Sequence, residues 1–332
     1  MVKYGFAALA AAVTLATWTT GVLAVDLRLG TAFPPTHLMQ TRMLNPWAEE
    51  VAKASNGSLA IKMHPGSELV SGPNSFKRTQ DGVVDISESL QGYTSDQFPR
   101  TLLIEIPGLA KDNATATRMM WRAVELLKPE YDKTKILALW STGPNTIVMR
   151  KDPVRTVEDL KGKRVRTPSA LLGDVAKALG MSPVSMQIGD VYQAMQTGVL
   201  DAILTGHSAL EGFKLGEVSK YYPDYTFGVS PLFLVMNQRS YDRLSAEHRA
   251  IIDRTSGERL SQVGAGVYDA EAVRQLANEI KAGRGEVNKL SDAERKKIEA
   301  AVAPVADKMI VDREAAGIPA RRILAAMKGG AS

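Results

Sequence analysis

The stretches "TQDGVVDI" (residues 79–86) and "MQTGVLDA" (residues 195–202) share one form: Gln, a polar residue, Gly, two aliphatics, Asp, then an apolar residue. Each follows a helix-prone run, "PNSFKR" in the first case and "GDVYQAM" in the second. Gly82 and Gly198 stand where a helix ends in a left-handed cap, a conformation only glycine adopts cheaply. The aliphatic pairs after them open short apolar runs of the kind buried in parallel sheets. The same helix-to-strand joint, used twice, predicts two α/β halves of similar plan.

The rest of the chain supports that plan. "DLRLGTAF" (26–33) reads as an alternating strand. A helix through "LMQTRMLNPWAEEVAKAS" follows, broken or kinked at Pro46. Asn56-Gly57 marks a turn, and "SLAIKMHP" reads as a second strand in a right-handed βαβ start. In the second half "TVED" (156–159) is a small capping box, "KRVRTP" a strand stopped by Pro168, and "SALLGDVAKALG" a helix with a Gly cap. "KILALWSTGPNTIVMRKD" reads as a strand and a turn. "YTFGVSPLFLVMN" (225–237) is long enough to pass from one half back to the other. From "SAEHRAIIDRTSGERLSQV" onward the pattern is almost wholly helical, with a capping box from Ser291 to Glu294. The expected division is domain I from 25–143 with 232–271, and domain II from 144–231 with 272–332.

Composition bounds the function. The 332 residues are 45% hydrophobic and 23% charged, ordinary for a globular chain of two domains. "MVKYGFAALAAAVTLATWTTGVLA" has an early cation, Lys3, and an apolar run, and ends in Val22-Leu23-Ala24, a small-x-small pattern. Cleavage after Ala24 and export to the periplasm are expected. Beyond this leader the chain carries +4, from 40 basic and 36 acidic residues. Its densest basic cluster, "KGKRVR" (161–166), has no interleaved aromatics, so nucleic acid is not an expected partner. A mildly basic balance suits an anionic small molecule. Absence of cysteine excludes disulfides, thiolate nucleophiles and Cys-based metal sites. His37, His64, His207 and His248 are far apart, and no metal or cofactor is expected.

In open parallel sheets ligands bind beyond the carboxyl ends of strands. Here those ends are residues 31–34, 89–93, 140–146, 166–168 and 205–207. Phe33, Tyr93 and Trp140 fall at or just past such ends; any one alone reads as core, but three at the same end suit an apolar pocket, and His207 closes the last. In "KRVRT" the strand period puts Arg164 and Arg166 on one face. Arg166 is then either a surface arginine of a basic cluster or a guanidinium that grips a carboxylate with two parallel hydrogen bonds. Catalytic motifs fail. Gly206-His207-Ser208-Ala209-Leu210 begins as a nucleophile elbow but ends in Leu, and Gly264-Ala265-Gly266 follows no strand.

Over almost the entire chain beyond the leader, the sequence resembles the solute-binding proteins of tripartite ATP-independent periplasmic (TRAP) transporters. "GSLAIKMHPGSELV", "DGVVDI" and "FPRTLLIEIPG" look like segments of that family. "VEDLKGKRVRTP" is similar to its D-L-K-G-x-K-x-R signature, and "PVSMQIGDVYQAMQTGVLDA" to its P…E-V-Y-x-A-L-Q-x-G-x-x-D segment. Asp190 stands where Glu is usual and Ala202 where Gly is usual.

The resemblance implies a periplasmic-binding-protein-like fold: two α/β domains, each a mainly parallel sheet flanked by helices, joined by hinge strands and a long connecting helix. It implies that Arg166 pairs with the ligand carboxylate and that Thr205 is a polar ligand contact. Asn145 falls where the acidic-sugar branch has a second arginine, which argues against that specificity. Phe33, Ser71, Leu90, Gln91 and Tyr93 carry over by approximate alignment as ligand-facing. The expected function is capture of an organic acid, a monocarboxylate with an aromatic or 2-oxo body. Delivery to the small and large membrane subunits of a transporter follows from the same resemblance, with a monomeric receptor and no catalysis. The alternatives are a receptor for another transporter or sensor, and a periplasmic serine hydrolase using Ser208 and His207.

Overall fold

The computed structural model describes residues 24–330. The expected leader therefore lies outside the described residues, apart from Ala24. The first lobe is built from β1 (Val25–Thr31), α1 (Asn45–Ala54), β2 (Leu59–His64), α2 (Ser75–Gln80), β3 (Ile86–Leu90), α3 (Asn113–Arg122), α4 (Val124–Leu127) and β4 (Thr134–Ser141). The chain then crosses to the second lobe. There it forms β5 (Thr146–Met149), β6 (Arg164–Thr167), α5 (Ala170–Ala178), β7 (Ser182–Ser185), α6 (Val191–Gln196), β8 (Ala202–Thr205) and β9 (Tyr221–Pro223). It returns as β10 (Pro231–Asn237) of the first sheet, followed by α7 (Gln238–Asp242), α8 (Ala246–Thr255) and α9 (Glu258–Lys281). β11 (Glu286–Asn288) joins the second sheet, and α10 (Asp292–Ala315) and α11 (Ala320–Met327) complete the described chain.

The first sheet has the order β2-β1-β3-β10-β4 and the second β11-β9-β5-β8-β6-β7. Both are mixed rather than mainly parallel. β1 pairs in parallel with β2 and β3, but the returning β10 enters antiparallel between β3 and β4. In the second sheet β6 is parallel to β7 and β8, whereas β5, fresh from the crossing, is antiparallel to β8 and β9.

Each repeated joint keeps its glycine cap, but the strand begins only after the Asp: the aliphatic pairs lie outside β3 and β8, and Val83 and Val199 are exposed because the chain is still turning off the helix there. Gly82 and Gly198 have φ of 77° and 75° and end α2 and α6. The Asp three residues later then does the same work in each lobe. Asp85 N–H donates to the Arg28 carbonyl, and its carboxylate accepts the Arg28 N–H at 2.9 Å. Asp201 repeats both bonds with Arg164, at 2.9 Å each. The Asp just before β3 is thus tied to the middle of β1, and the one just before β8 to the start of β6.

Pro46 does not break its helix. It sits in the first turn of α1, where its missing N–H costs nothing, after a π-turn over Gln40–Leu44. "STGPNT" is an interlobe crossing rather than a local turn. It runs beside the returning segment through Thr142 N–H to Ser230 O and Asn145 N–H to Gly228 O. A third connection is α9, which packs on β4 and α3 at one end and on the loop after β8 at the other. α11 packs on α3 of the first lobe, its Ile323 and Met327 joining Met119 and Leu103 in one core. This sets 320–327 against the first lobe, although the expected division grouped it with the second. Apolar side chains on both faces of the first sheet cover β4 from Leu137 to Ser141, which matters for Trp140 below. Among the described residues no helix is long and apolar enough to cross a membrane.

Candidate functional site

A small cavity lies where the carboxyl ends of the two sheets' strands face one another. Phe33 follows β1, Leu90 ends β3 and Tyr93 follows it, while Arg166 is next to last on β6 and Thr205 ends β8. Asn145 reaches the lining from the interlobe crossing. The cavity also takes Ile188, Phe213 and Tyr268, which strand-end reasoning could not supply. Phe33 and Phe213, one from each lobe, meet edge to face with centroids 6.0 Å apart.

Arg166 is 2% exposed. Its Nε–H donates to Met186 O at 2.8 Å, an Nη1–H to Leu204 O at 3.2 Å and an Nη2–H to the Tyr93 hydroxyl at 3.2 Å. A guanidinium has five N–H donors, so one remains on each terminal nitrogen. The Tyr93 oxygen accepts a second bond from Ile188 N–H at 3.0 Å. With both lone pairs engaged, its own O–H is left to donate. Burial pulls the Arg166 pKa down from its ordinary value, opposed by the Tyr93 hydroxyl, and no carboxylate contributes to its environment.

The buried acids nearby do not compensate that charge. Glu88 and Glu105 are each pushed up to about 8 by burial, against the opposing hydrogen bonds of Thr31 and Ser169 respectively, and are uncharged at neutral pH. His37, also in the lining, is held down to about 3 by burial and is neutral. Tyr268 is raised well above its usual range, chiefly by burial. Among the described residues, Arg166 is therefore the cavity's single fixed charge.

Four expected site residues lie off this lining. Trp140 is fully buried on the helix-covered side of its strand, against Met43 and Gly264, where any Cβ on the glycine would come within 3.0 Å of the indole. Gln91 turns away from the cavity and bonds the Tyr131 hydroxyl. Ser71 is occupied in the turn that opens α2, its N–H donating to Asn74 Oδ1 at 2.8 Å. The His207 ring faces Tyr222, edge to face at 5.6 Å. Ser208 does reach the lining, and among the described residues no hydrogen bond joins it to His207, whose ring lies off the lining against Tyr222.

The lobes are in contact around the cavity. Ser169 Oγ donates to Glu105 Oε2 at 2.6 Å, and Ala170 N–H to Ser95 Oγ at 3.2 Å. Gly92 packs so tightly that an added Cβ would lie 2.5 Å from the Pro168 carbonyl oxygen. The geometry is that of a clamp closed over a small, largely apolar chamber.

Comparison with known proteins agrees with the architecture. The family model for DctP, bacterial extracellular solute-binding protein family 7, matches residues 29–312. The chain belongs to this family. A solute-binding protein of Albidiferax ferrireducens is 27% identical over 224 residues, 65% of this chain and 66% of that protein, just under two thirds of its length. The 2,3-diketo-L-gulonate-binding periplasmic protein YiaO of Escherichia coli K12 is 27% identical over 286 residues, 84% of each chain. Among solved structures, a TRAP solute-binding protein from a marine metagenome superposes with a TM-score of 0.88 at 24% identity. The match covers 92% of this chain and 98% of that one, which is specific for aromatic acid ligands and holds 3-hydroxybenzoate. The two-lobed plan of this solute-binding protein is thus a shared fold.

Proposed function

We propose that this protein is an exported receptor that captures a monocarboxylate with an apolar or aromatic body and hands it to the membrane subunits of a TRAP transporter. One observation carries the reading: a buried guanidinium with one free N–H on each terminal nitrogen and no internal counter-charge. A desolvated, unpaired cation is costly, and a carboxylate removes the cost by taking both N–H groups in parallel. The Tyr93 O–H supplies a third donor to the same anion. A second carboxylate would find no cation, which disfavours dianions. Phe33, Leu90, Ile188 and Phe213 offer apolar surface for the body of the ligand, and the aromatic acid held by the marine neighbour is in keeping with that. Catalysis has no support from the cavity, where Ser208 lacks a base. Delivery to membrane subunits follows from the family.

The test is a thermal-shift and calorimetric screen of monocarboxylates, each beside its primary amide and a dicarboxylate. A ligand at about 100 times its dissociation constant contributes ~2.7 kcal/mol, a clear shift in melting temperature. Carboxylates should bind and their amides should not. Equal binding of the amides would overturn the reading. Mass spectrometry of the exported chain should find Val25 or Asp26 at its start.

A further inference from the structure

The imidazole of His37 is the one aromatic ring of the cavity wall whose two nitrogens are in unlike situations. Nδ1 lies 3.3 Å from the Met39 backbone nitrogen and accepts its N–H. A ring nitrogen that accepts carries no proton, so in the neutral ring the proton is on Nε2. Burial among Phe33, Phe213 and Tyr268, with ring centroids 4.3, 5.2 and 6.4 Å away, keeps the ring neutral. Nε2 has no hydrogen-bond partner among the described residues, although the ring lines the cavity. The nitrogen is not sealed off, so in so confined a wall its N–H is open to a ligand atom or water as partner.

We infer that His37 Nε2–H is a specificity donor, aimed at a carbon-bound oxygen on the part of the ligand that lies away from its carboxylate. Resting on the receptor reading above, this narrows the ligand class to oxygenated monocarboxylates: hydroxy, alkoxy or oxo acids. Arg166 and His37 come from different lobes, so a ligand that meets both also ties the lobes together. Without such a donor, the part of the wall formed by the rings of Phe33 and Phe213 would favour a methyl over a hydroxyl, because the hydroxyl loses its water bonds on entry.

The experiment is calorimetry of benzoates bearing hydroxyl or methyl, two groups of similar size, at the meta and para positions, with wild type and His37→Phe. Wild type should prefer hydroxyl over methyl by about tenfold at one of the positions, the worth of one good hydrogen bond. His37→Phe, which keeps the aromatic stack, should abolish or invert that preference while leaving binding of the methyl analogue within about twofold. Methyl and hydroxyl binding alike to wild type, or a hydroxyl preference that survives His37→Phe, overturns the donor assignment and leaves the receptor reading standing. Binding of no carboxylate overturns both. Should His37→Phe fail to fold, histidine ¹⁵N shifts of the wild type decide the matter. They should show a neutral ring protonated at Nε2 and shifted by the hydroxyl ligand; protonation at Nδ1 refutes the assignment.

Discussion

The Tyr93 hydroxyl of the first lobe lies 3.2 Å from Arg166 Nη2 and 3.0 Å from the Ile188 nitrogen, both in the second lobe. One oxygen therefore joins the lobes and orients the guanidinium. Tyr93→Phe removes both bonds and the free O–H while keeping the ring. We expect carboxylate affinity to fall about tenfold to a hundredfold, with the folded state little changed. Calorimetry and a denaturation curve check this; unchanged affinity would free Tyr93 of any part in the site.

Arg166→Ala should weaken carboxylate binding by ~2–5 kcal/mol, about 30-fold to several thousandfold. Arg166→Lys should restore little, because a point charge cannot reproduce the fork. The side chain also serves the Met186 and Leu204 carbonyls, so the ligand-free Ala variant should lose about 1–2 kcal/mol of stability. Isothermal titration and thermal melts separate the two effects.

Gly92→Ala puts a methyl group 2.5 Å from a backbone oxygen across the lobe interface. Backbone cannot give way as a flexible side chain can, so the clamp should be held ajar. Small-angle scattering of wild type should show a smaller radius of gyration with carboxylate than without, and Gly92→Ala should show no such change. A variant that compacts like wild type would place closure elsewhere.

The buried acids set the pH response. Glu88 and Glu105 titrate near 8 when folded and in the ordinary carboxylate range when unfolded. Between those values the folded chain holds protons that the unfolded chain has released, so the contribution of these two acids to stability falls as pH rises from about 4.5 to 8. Glu88→Gln should raise the melting temperature at pH 8 and flatten its decline from pH 5. Glu271, held down to about 2 mainly by its hydrogen bonds from Arg274, acts in the other direction: its contribution is lost only as pH falls from about 4.5 toward 2. Melts across the range should show both slopes; a Glu88→Gln profile parallel to wild type would remove Glu88 from the account.

The features legible in the sequence are those with a local cause. Gly82 and Gly198 announce helix ends, and the alternation through "KRVRT" places Arg166 on a face. His37, Phe213 and Tyr268 are brought to the cavity by tertiary packing, from a loop, another loop and a long helix, and no periodicity marks them. Trp140 shows the limit of reasoning from strand ends. The carboxyl part of its strand is buried on both faces, so lying near the strand's end does not decide which side the indole meets. Asn145 was placed by resemblance, but its side chain is engaged with the Gly228 carbonyl and Ser230 Oγ in the crossing, a hinge contact that residue type alone does not disclose.

The Arg164–Asp201 pair lies on the surface and lines no part of the cavity, yet it acts as an index for β6. Side chains along a strand alternate, so a slip of one residue reverses every assignment. With Asp201 holding the Arg164 N–H and guanidinium together, Val165 pairs with Ala202 and Arg166 with Ile203. One step out of phase, Val165 would leave its packing with Leu172 and Val175, and the charge would be driven into that oily layer instead. An exchange such as Asp201→Ala therefore bears on the phase of the strand, and the address of the cleft's cation is written in a bond at the opposite end of β6.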